Sequence, residues 1–328
     1  MREATIELNF RDAIKRALQE EMREDRSVVM LGEDIGHAGG PFKVTEGLIE
    51  EFGEERIMDT PIAETAISGA ALGMAITGLR PVAEIMFADF LAVCMDQIVN
   101  SIAKYRYMSG GQVSVPLVIR TACGGGIRFA AQHSQTGESW FMQFPGLQLV
   151  CPSNPHDAYH LMKAAIRSPD PVIFFEHKIL YARKGMVRLD QPEEIGKCKR
   201  IRTGDDVTLI ASMAMVEKAV QAAEQLEALG IHAEILDLRS VRPLDHETIC
   251  ESVRKTNHLL TIEEHPAMGG WGSEVIARVI DHAFDYLDAP PMRVSAPDAP
   301  LGFSPVLEDA AIPSADRIVH VVRELLRK

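Results

Sequence analysis

With 328 residues, 46% of them hydrophobic and 25% charged, the chain is long enough for two ordinary domains, each with its own core. A formal net charge of −13 argues against a nucleic-acid or anionic-membrane surface, because those partners demand clustered lysine and arginine. No apolar run reaches the ~18 residues needed to span a bilayer, and Met1 to Asn9 lacks the apolar centre of a signal peptide. The five cysteines (Cys94, Cys123, Cys151, Cys198, Cys250) are odd in number and never in CxxC spacing. That pattern fits reduced thiols in the cytoplasm and excludes an iron–sulfur or structural zinc module.

Asn9 is placed to cap a first helix, in which Phe10, Ile14, Ala17, Leu18 and Met22 form one apolar stripe. Ser27 to Leu31 reads as a short buried strand running into Gly32-Glu33-Asp34. A glycine-rich loop, Gly36 to Gly40, and a helix around Val44 to Phe52 follow. A second strand, Arg56 to Asp59, delivers the chain to Pro61 and Glu64. The helix expected from about Glu64 to Thr77 is rich in small residues, including Ala66, Gly69, Ala70 and Gly73. Each glycine inside a helix costs roughly 1 kcal/mol relative to alanine, so another backbone or a ligand is expected to approach closely. The strand Val82 to Phe87, a helix from about Asp89 to Tyr107 and the strand Val115 to Thr121 come next. The loop Ala122 to Gly137 then leads to a helix near Glu138 to Phe144. Strands at Leu147 to Cys151 and Val172 to Glu176 flank the helix Pro155 to Arg167.

The charged stretch Tyr181 to Thr203 carries Gly and Pro without clear periodicity and reads as an inter-domain linker. Beyond it the pattern restarts: strand Val207 to Ser212, helix Val216 to Leu229, strand Ala233 to Leu238, helix His246 to Lys255 and strand Leu259 to Glu263. Gly269-Gly270-Trp271-Gly272 breaks the chain before a helix Ser273 to Phe284, and Met292 to Ser295 makes a last strand. Strands alternating with helices in both halves predict an α/β protein of two three-layer domains with mostly parallel sheets.

Three residues stand out at element ends, where ligand sites of α/β sheets form. A lone Glu at a helix start is ordinarily a solvated charge favoured by the dipole, but Glu64 sits among small and apolar neighbours, from Ala63 through Ala71. A carboxyl with low exposure holds its proton more readily and can share it with a ring nitrogen. Phe90 follows an apolar strand; such a Phe is ordinarily core, yet it also offers a flat surface for a heteroaromatic ring. His133 lies in a loop among Gln132, Ser134 and Gln135, where a histidine suits acid–base work. Gly124-Gly125-Gly126 lacks any GxGxxG or GxxxxGK[ST] pattern, so no nucleotide fingerprint is present. Glu263-Glu264-His265 resembles metal ligands, but neighbours on a strand face opposite ways, and a plain strand end is the simpler reading. Ser134 and Ser139 sit in no GxSxG elbow.

Taken together, Leu31-Gly32-Glu33-Asp34, Asp59-Thr60-Pro61-Ile62-Ala63-Glu64, Gly78-Leu79-Arg80-Pro81, Phe87-Ala88-Asp89-Phe90, Asp96-Gln97-Ile98-Val99-Asn100 and Ala131-Gln132-His133-Ser134-Gln135 are specific in their order. With Asp237-Leu238-Arg239, Arg242-Pro243-Leu244-Asp245 and Gly269-Gly270-Trp271-Gly272, the chain resembles beta subunits of the thiamine diphosphate-dependent component of 2-oxo acid and acetoin dehydrogenase complexes. The resemblance implies a transketolase-like pyrimidine-binding domain over residues 1–185, a linker over 186–203 and a transketolase C-terminal-like domain over 204–328. Glu64 is similar to the glutamate that hydrogen-bonds N1′ of the cofactor's aminopyrimidine, which favours the imino tautomer that takes the thiazolium C2 proton. Phe90 is similar to the aromatic that stacks on that ring, Glu33 lies near it, and His133 matches the histidine that handles protons or orients substrate and lipoyl group. A structural potassium ion on the backbone carbonyls of Leu117, Ala165, Ile166, Ser168 and Asp170 is also implied.

Thiamine enzymes hold the diphosphate through Mg²⁺ with a Gly-Asp-Gly motif and a following asparagine, and this sequence contains no Gly-Asp-Gly. The resemblance therefore implies a cofactor shared with an alpha subunit in an α2β2 heterotetramer, docked on a lipoyl-acyltransferase core. The small-molecule substrate is expected to be acetoin or a 2-oxo acid such as pyruvate. Phe174-Phe175-Glu176 with Lys178-Ile179-Leu180-Tyr181 also fits branched-chain 2-oxo acid members. A non-catalytic architectural subunit of the same fold is the alternative, disfavoured because Glu64, Phe90 and His133 are all present.

Overall fold

The computed structural model describes residues 5–327. Strands β1 (Thr5–Asn9), β2 (Val28–Gly32), β3 (Ile57–Asp59), β4 (Arg80–Phe87), β5 (Val118–Cys123), β6 (Gln148–Val150), β7 (Val172–His177) and β8 (Lys184–Arg188) come from the first half. Strands β9 (Lys199–Arg202), β10 (Val207–Ala211), β11 (Ala233–Asp237), β12 (Ser240–Arg242), β13 (Leu259–Pro266) and β14 (Met292–Ala296) follow. A seven-stranded sheet runs β12-β6-β7-β5-β4-β2-β3 and a five-stranded sheet β14-β13-β10-β11-β9. Only β12 and β9 pair antiparallel within these two sheets. Strands β2, β5 and β7 are buried throughout, as parallel strands covered on both faces must be.

Helices Phe10–Glu24 and Pro155–Arg167 cover one face of the first sheet. The first is capped as expected, Asn9 Oδ1 accepting from Asp12 N at 2.7 Å. The other face carries helix Glu64–Ile76 and the segment Gln97–Ile102, and its apolar layer runs on into helices His246–Thr256 and Trp271–Ala283 of the second domain. The two domains therefore share one continuous core. Helices Met215–Glu227 and Ala315–Leu325 close the far face of the second sheet, making three layers in each domain, as predicted. No helix of the described residues is long and apolar enough to cross a membrane.

Several local expectations are corrected. The single helix from Asp89 to Tyr107 is instead a 3₁₀ turn (Ala88–Ala92), a π-helical segment (Gln97–Ile102) and a short α-helix (Tyr105–Met108). The π register is carried by Ala103 N donating to Ile98 O at 2.9 Å, and such wide turns recur near functional sites. Glu138–Phe141 is likewise a 3₁₀ turn. The stretch read as a linker contains ordered pairing: β8 pairs antiparallel with β1, and β9 edges the second sheet. Strand β12 lies within the second domain's sequence yet adds to the first sheet beside β6, a second stitch across the seam.

Candidate active site

Strands β5, β4, β2 and β3 are consecutive neighbours in the first sheet, and all three pairings among them are parallel. Phe90, Glu33 and Glu64 come just past the carboxyl ends of β4, β2 and β3, and His133 lies further along the loop that leaves β5, on the side where open parallel sheets hold ligands. The turns after β2 and β3 are sewn together: Thr60 N donates to Gly32 O at 2.9 Å and Gly36 N to Asp59 Oδ1 at 2.7 Å. A Cβ at Gly36 would press on Asp59 Oδ2 at 2.5 Å, so glycine there leaves room for the carboxylate that accepts from its amide. Glu33 and Glu64 are both half-buried on this rim. Burial pushes the Glu33 carboxyl above the usual carboxylate range, and the charges of Asp34 and Glu64 push it further, so the two glutamates lie within electrostatic reach.

Glu64 opens the helix Glu64–Ile76, and the next residue anchors that helix to the turn carrying Phe90: Thr65 Oγ1 donates to Val93 O at 3.2 Å. Cys94 adds a second link, its Sγ lying 3.8 Å from Phe90 O. Phe90 is half-buried and stands edge-on to Phe87, ring centroids 5.9 Å apart at 88°. His133 packs edge-on against both rings, 4.6 Å from Phe87 and 5.3 Å from Phe90. The structure thus brings Phe90 and His133 into contact, and places Glu64 beside the Phe90 turn.

Sequence reasoning missed Lys178 and Asp89. Lys178 is 4% exposed and its ammonium sits 5.7 Å over the Phe87 ring, where burial pulls its pKa below the usual lysine range. Among the described residues, Lys178 Nζ, Asp89 Oδ2, Ser134 Oγ, Thr136 Oγ1 and Glu138 Oε2 are buried without a hydrogen-bond partner. Leaving such a group unpartnered costs about 1–3 kcal/mol, more when it is charged, and their grouping around the His133 loop fits a face that meets polar groups of a ligand or of water. A lysine on an apolar strand exit was visible in the sequence, but its burial was not. A cavity of about 400 Å³ adjoins this loop, between Ser134 and Thr136 on one side and His265, Pro266 and Leu301 on the other.

A flat aromatic, two carboxylates and a histidine with unpartnered polar neighbours suit a planar, basic heteroaromatic ring better than a metal ion. Glu263 and Glu264 are engaged elsewhere: Glu263 accepts from Arg293 Nε at 2.9 Å and Gly272 N at 2.8 Å, and Glu264 faces the other domain. The carbonyls of Ile166 and Ser168 converge on Arg80 Nη1 at 2.9 and 3.3 Å. Those of Leu117, Ala165 and Asp170 accept from Val172 N, Ser168 N and Ser168 Oγ.

Residues 6–184 match the transketolase pyrimidine-binding domain family, and residues 196–318 match the transketolase C-terminal domain family. The subunit beta of acetoin:2,6-dichlorophenolindophenol oxidoreductase from Bacillus subtilis (strain 168) is 46% identical over 336 residues, covering 97% of each chain. The 2-oxoisovalerate dehydrogenase subunit beta of the same organism is 46% identical over 321 residues, covering 97% of this chain and 98% of its own. Among solved structures, a split gene transketolase described as an inactive beta4 tetramer superimposes with a TM-score of 0.81 at 27% identity, covering 98% of both chains. The chain belongs to the transketolase-like family of beta subunits of acetoin and 2-oxo acid dehydrogenases.

Proposed function

We propose that this chain is the beta subunit of a thiamine diphosphate-dependent dehydrogenase that cleaves acetoin or decarboxylates a 2-oxo acid such as pyruvate and passes the acyl group to a lipoyl domain. The observation that carries this reading is the row of His133, Phe90, Glu33 and Glu64 at the ends of four adjacent strands. Thiamine diphosphate, when bound, supplies an electron sink for the bond broken beside the substrate carbonyl. Glu64 would hold a proton toward a ring nitrogen of the pyrimidine, and Phe90 would offer that ring a flat apolar face. Glu33, with its raised proton affinity, supports the same edge. His133 gives or takes a proton at its ring nitrogens on the substrate side, while the Phe87 and Phe90 rings keep water from one flank.

The site needs a second polypeptide. Without a Gly-Asp-Gly motif, the diphosphate and its Mg²⁺ fall to an alpha subunit in an α2β2 assembly, itself carried on a lipoyl-acyltransferase core in the cytoplasm. Support comes from helix Glu64–Ile76, where a Cβ added at Gly69 or Gly73 would meet nothing within 4 Å among the described residues. Nothing among the described residues crowds those two positions, which fits a second polypeptide packing closely on this helix. A branched-chain 2-oxo acid is the second substrate reading, favoured by equal 46% identity to the 2-oxoisovalerate relative. Co-expression with a Gly-Asp-Gly-bearing partner, followed by dye-reduction assays with acetoin, pyruvate and a branched-chain 2-oxo acid, tests this. Turnover with thiamine diphosphate and Mg²⁺ is expected only when both chains are present. Turnover by the single chain would remove the shared site, and a stable but silent heterotetramer would favour the architectural role.

The carbonyls of Leu117, Ala165, Ile166, Ser168 and Asp170 are proposed to hold potassium, each using the lone pair left after the hydrogen bond it already accepts. Arg80 beside them opposes a second positive charge, so the effect should be modest. The melting temperature should be a few degrees higher in potassium than in sodium or choline chloride at equal ionic strength. Equal melting in all three salts would withdraw the site.

A further inference from the structure

The loop Gly124–Gln135 has no secondary structure of its own, and its base is closed by Gly124 N donating to Gln135 O at 3.0 Å. What fixes its middle comes from the other domain. Glu264 of β13 accepts from Gly125 N at 2.6 Å with one oxygen, while its other oxygen lies 2.8 Å from His177 Nε2. Glu308, on the helix Pro305–Ala311, accepts from Gly126 N at 2.8 Å with Oε1 and from Arg128 N at 3.2 Å with Oε2. The Arg128 guanidinium reaches the same Oε2 at 2.5 Å. Glu308 is completely buried and Glu264 is 8% exposed, so each carboxylate depends on these donors for the solvation it has given up. Burial alone would raise the Glu264 carboxyl; His177 and the Gly125 amide more than offset that and hold it below the ordinary range.

The glycines make this approach possible. A Cβ on Gly124 would collide with the His177 ring, and one on Gly125 would meet Leu301 at 2.6 Å and Ile312 at 3.1 Å. The loop turns with positive φ at Gly124, Gly126, Arg128 and Ala130, and strain at the last two persists only where surroundings impose it. Beyond Arg128, Phe129 lies 6.0 Å from Phe87, and His133 reaches its place against Phe87 and Phe90.

We propose that Glu264 and Glu308 are positioning residues, through which the second domain grips the backbone amides of Gly125, Gly126 and Arg128 and so sets the His133 ring against Phe87 and Phe90. The catalytic part of this inference rests on His133 belonging to the active site. Small displacements of a reacting group cost up to about a hundredfold in rate, so the grip, although remote from substrate, controls turnover.

The test uses the enzyme assembled with its alpha subunit. Glu308→Ala should speed amide exchange over residues 125–133 by about tenfold or more while β10 and β13 keep their protection, and Glu308→Gln, which retains an acceptor oxygen, should restore most of it. Turnover in Glu308→Ala should fall roughly ten- to a hundredfold. Adding Glu308→Ala to His133→Ala should cost little more than His133→Ala alone, because both act through one ring. Unchanged exchange in the loop, or fully additive losses in the double variant, would overturn the proposal. Wild-type turnover in His133→Ala would instead dismiss the histidine's role, leaving the exchange result to decide the grip by itself.

Discussion

Glu64→Gln in the assembled enzyme is expected to fold normally and to lose about 10²–10⁴-fold in turnover, the usual worth of a positioned acid–base group. Stability should barely change, because among the described residues no hydrogen bond or ion pair engages the Glu64 carboxyl. The neutral amide gives up a favourable charge at a helix N-terminus, worth about 0.3–1 kcal/mol. It also relieves the repulsion that helps raise the Glu33 carboxyl. These two effects oppose each other, so the melting temperature stays near that of the parent. The loss in rate has a different origin: an amide cannot exchange a proton with a ring nitrogen. Near-parental turnover in Glu64→Gln, with melting unchanged, would take Glu64 out of the mechanism. A large fall in melting temperature would instead make it a structural carboxylate.

Much of what places Glu64, Phe90 and His133 is local and therefore legible. Apolar runs rich in valine and isoleucine mark β2, β4 and β5, while Gly32, Pro61 and Gly124 mark the exits of β2, β3 and β5. The order β5-β4-β2-β3 is not local; no periodicity states which strands are neighbours, and that order is what collects the four side chains into one row. The π-helical segment escaped notice because its apolar residues Ile98, Val99 and Ile102 satisfy an α-helical period equally well. Strands β1 and β8 were missed because each has an exposed face and charged residues, and only their mutual pairing makes them strands.

Glu264 and Glu308 show a different limit. Glu264 was set aside as half of an acidic strand end, a fair inference from alternation, since the two faces of β13 do send Glu263 and Glu264 to different partners. What alternation cannot state is that the partner of Glu264 is a backbone amide in the other domain. The C-terminal helices carry readable signals, Ser304-Pro305 at one start and Ile318, Val322 and Leu325 on one face. Even with those helices drawn, nothing in the sequence says that Glu308 points at a glycine loop far back along the chain.

Arg120→Met is expected to be the most destabilising single change in the first domain. Arg120 is 2% exposed and donates through Nε and Nη2 to the two oxygens of Glu176 at 2.7 Å each, while Nη1 pairs with Glu84. Tyr181 Oη adds a bond to Glu176 at 2.8 Å. Glu84, Arg120 and Glu176 lie on adjacent strands β4, β5 and β7, and the Tyr181 ring stacks on Phe42. One cation already serves two carboxylates, and burial pushes the Glu84 carboxyl up despite it. Methionine fills the space but leaves two buried acids facing each other, a loss on the order of 3–5 kcal/mol. The Glu84 carboxyl, already pushed up by burial, escapes by binding a proton, so its folded pKa rises further above the unfolded one. Stability of such groups is kept below the unfolded carboxylate pKa and lost as pH rises through the folded one. The gap in urea midpoint between Arg120→Met and the parent should therefore be wider at pH 8 than at pH 5. Glu84→Gln should cost far less, because the bidentate pair with Glu176 remains and the cluster becomes neutral. A gap under about 1 kcal/mol at both pH values would mean that water or backbone groups solvate these carboxylates.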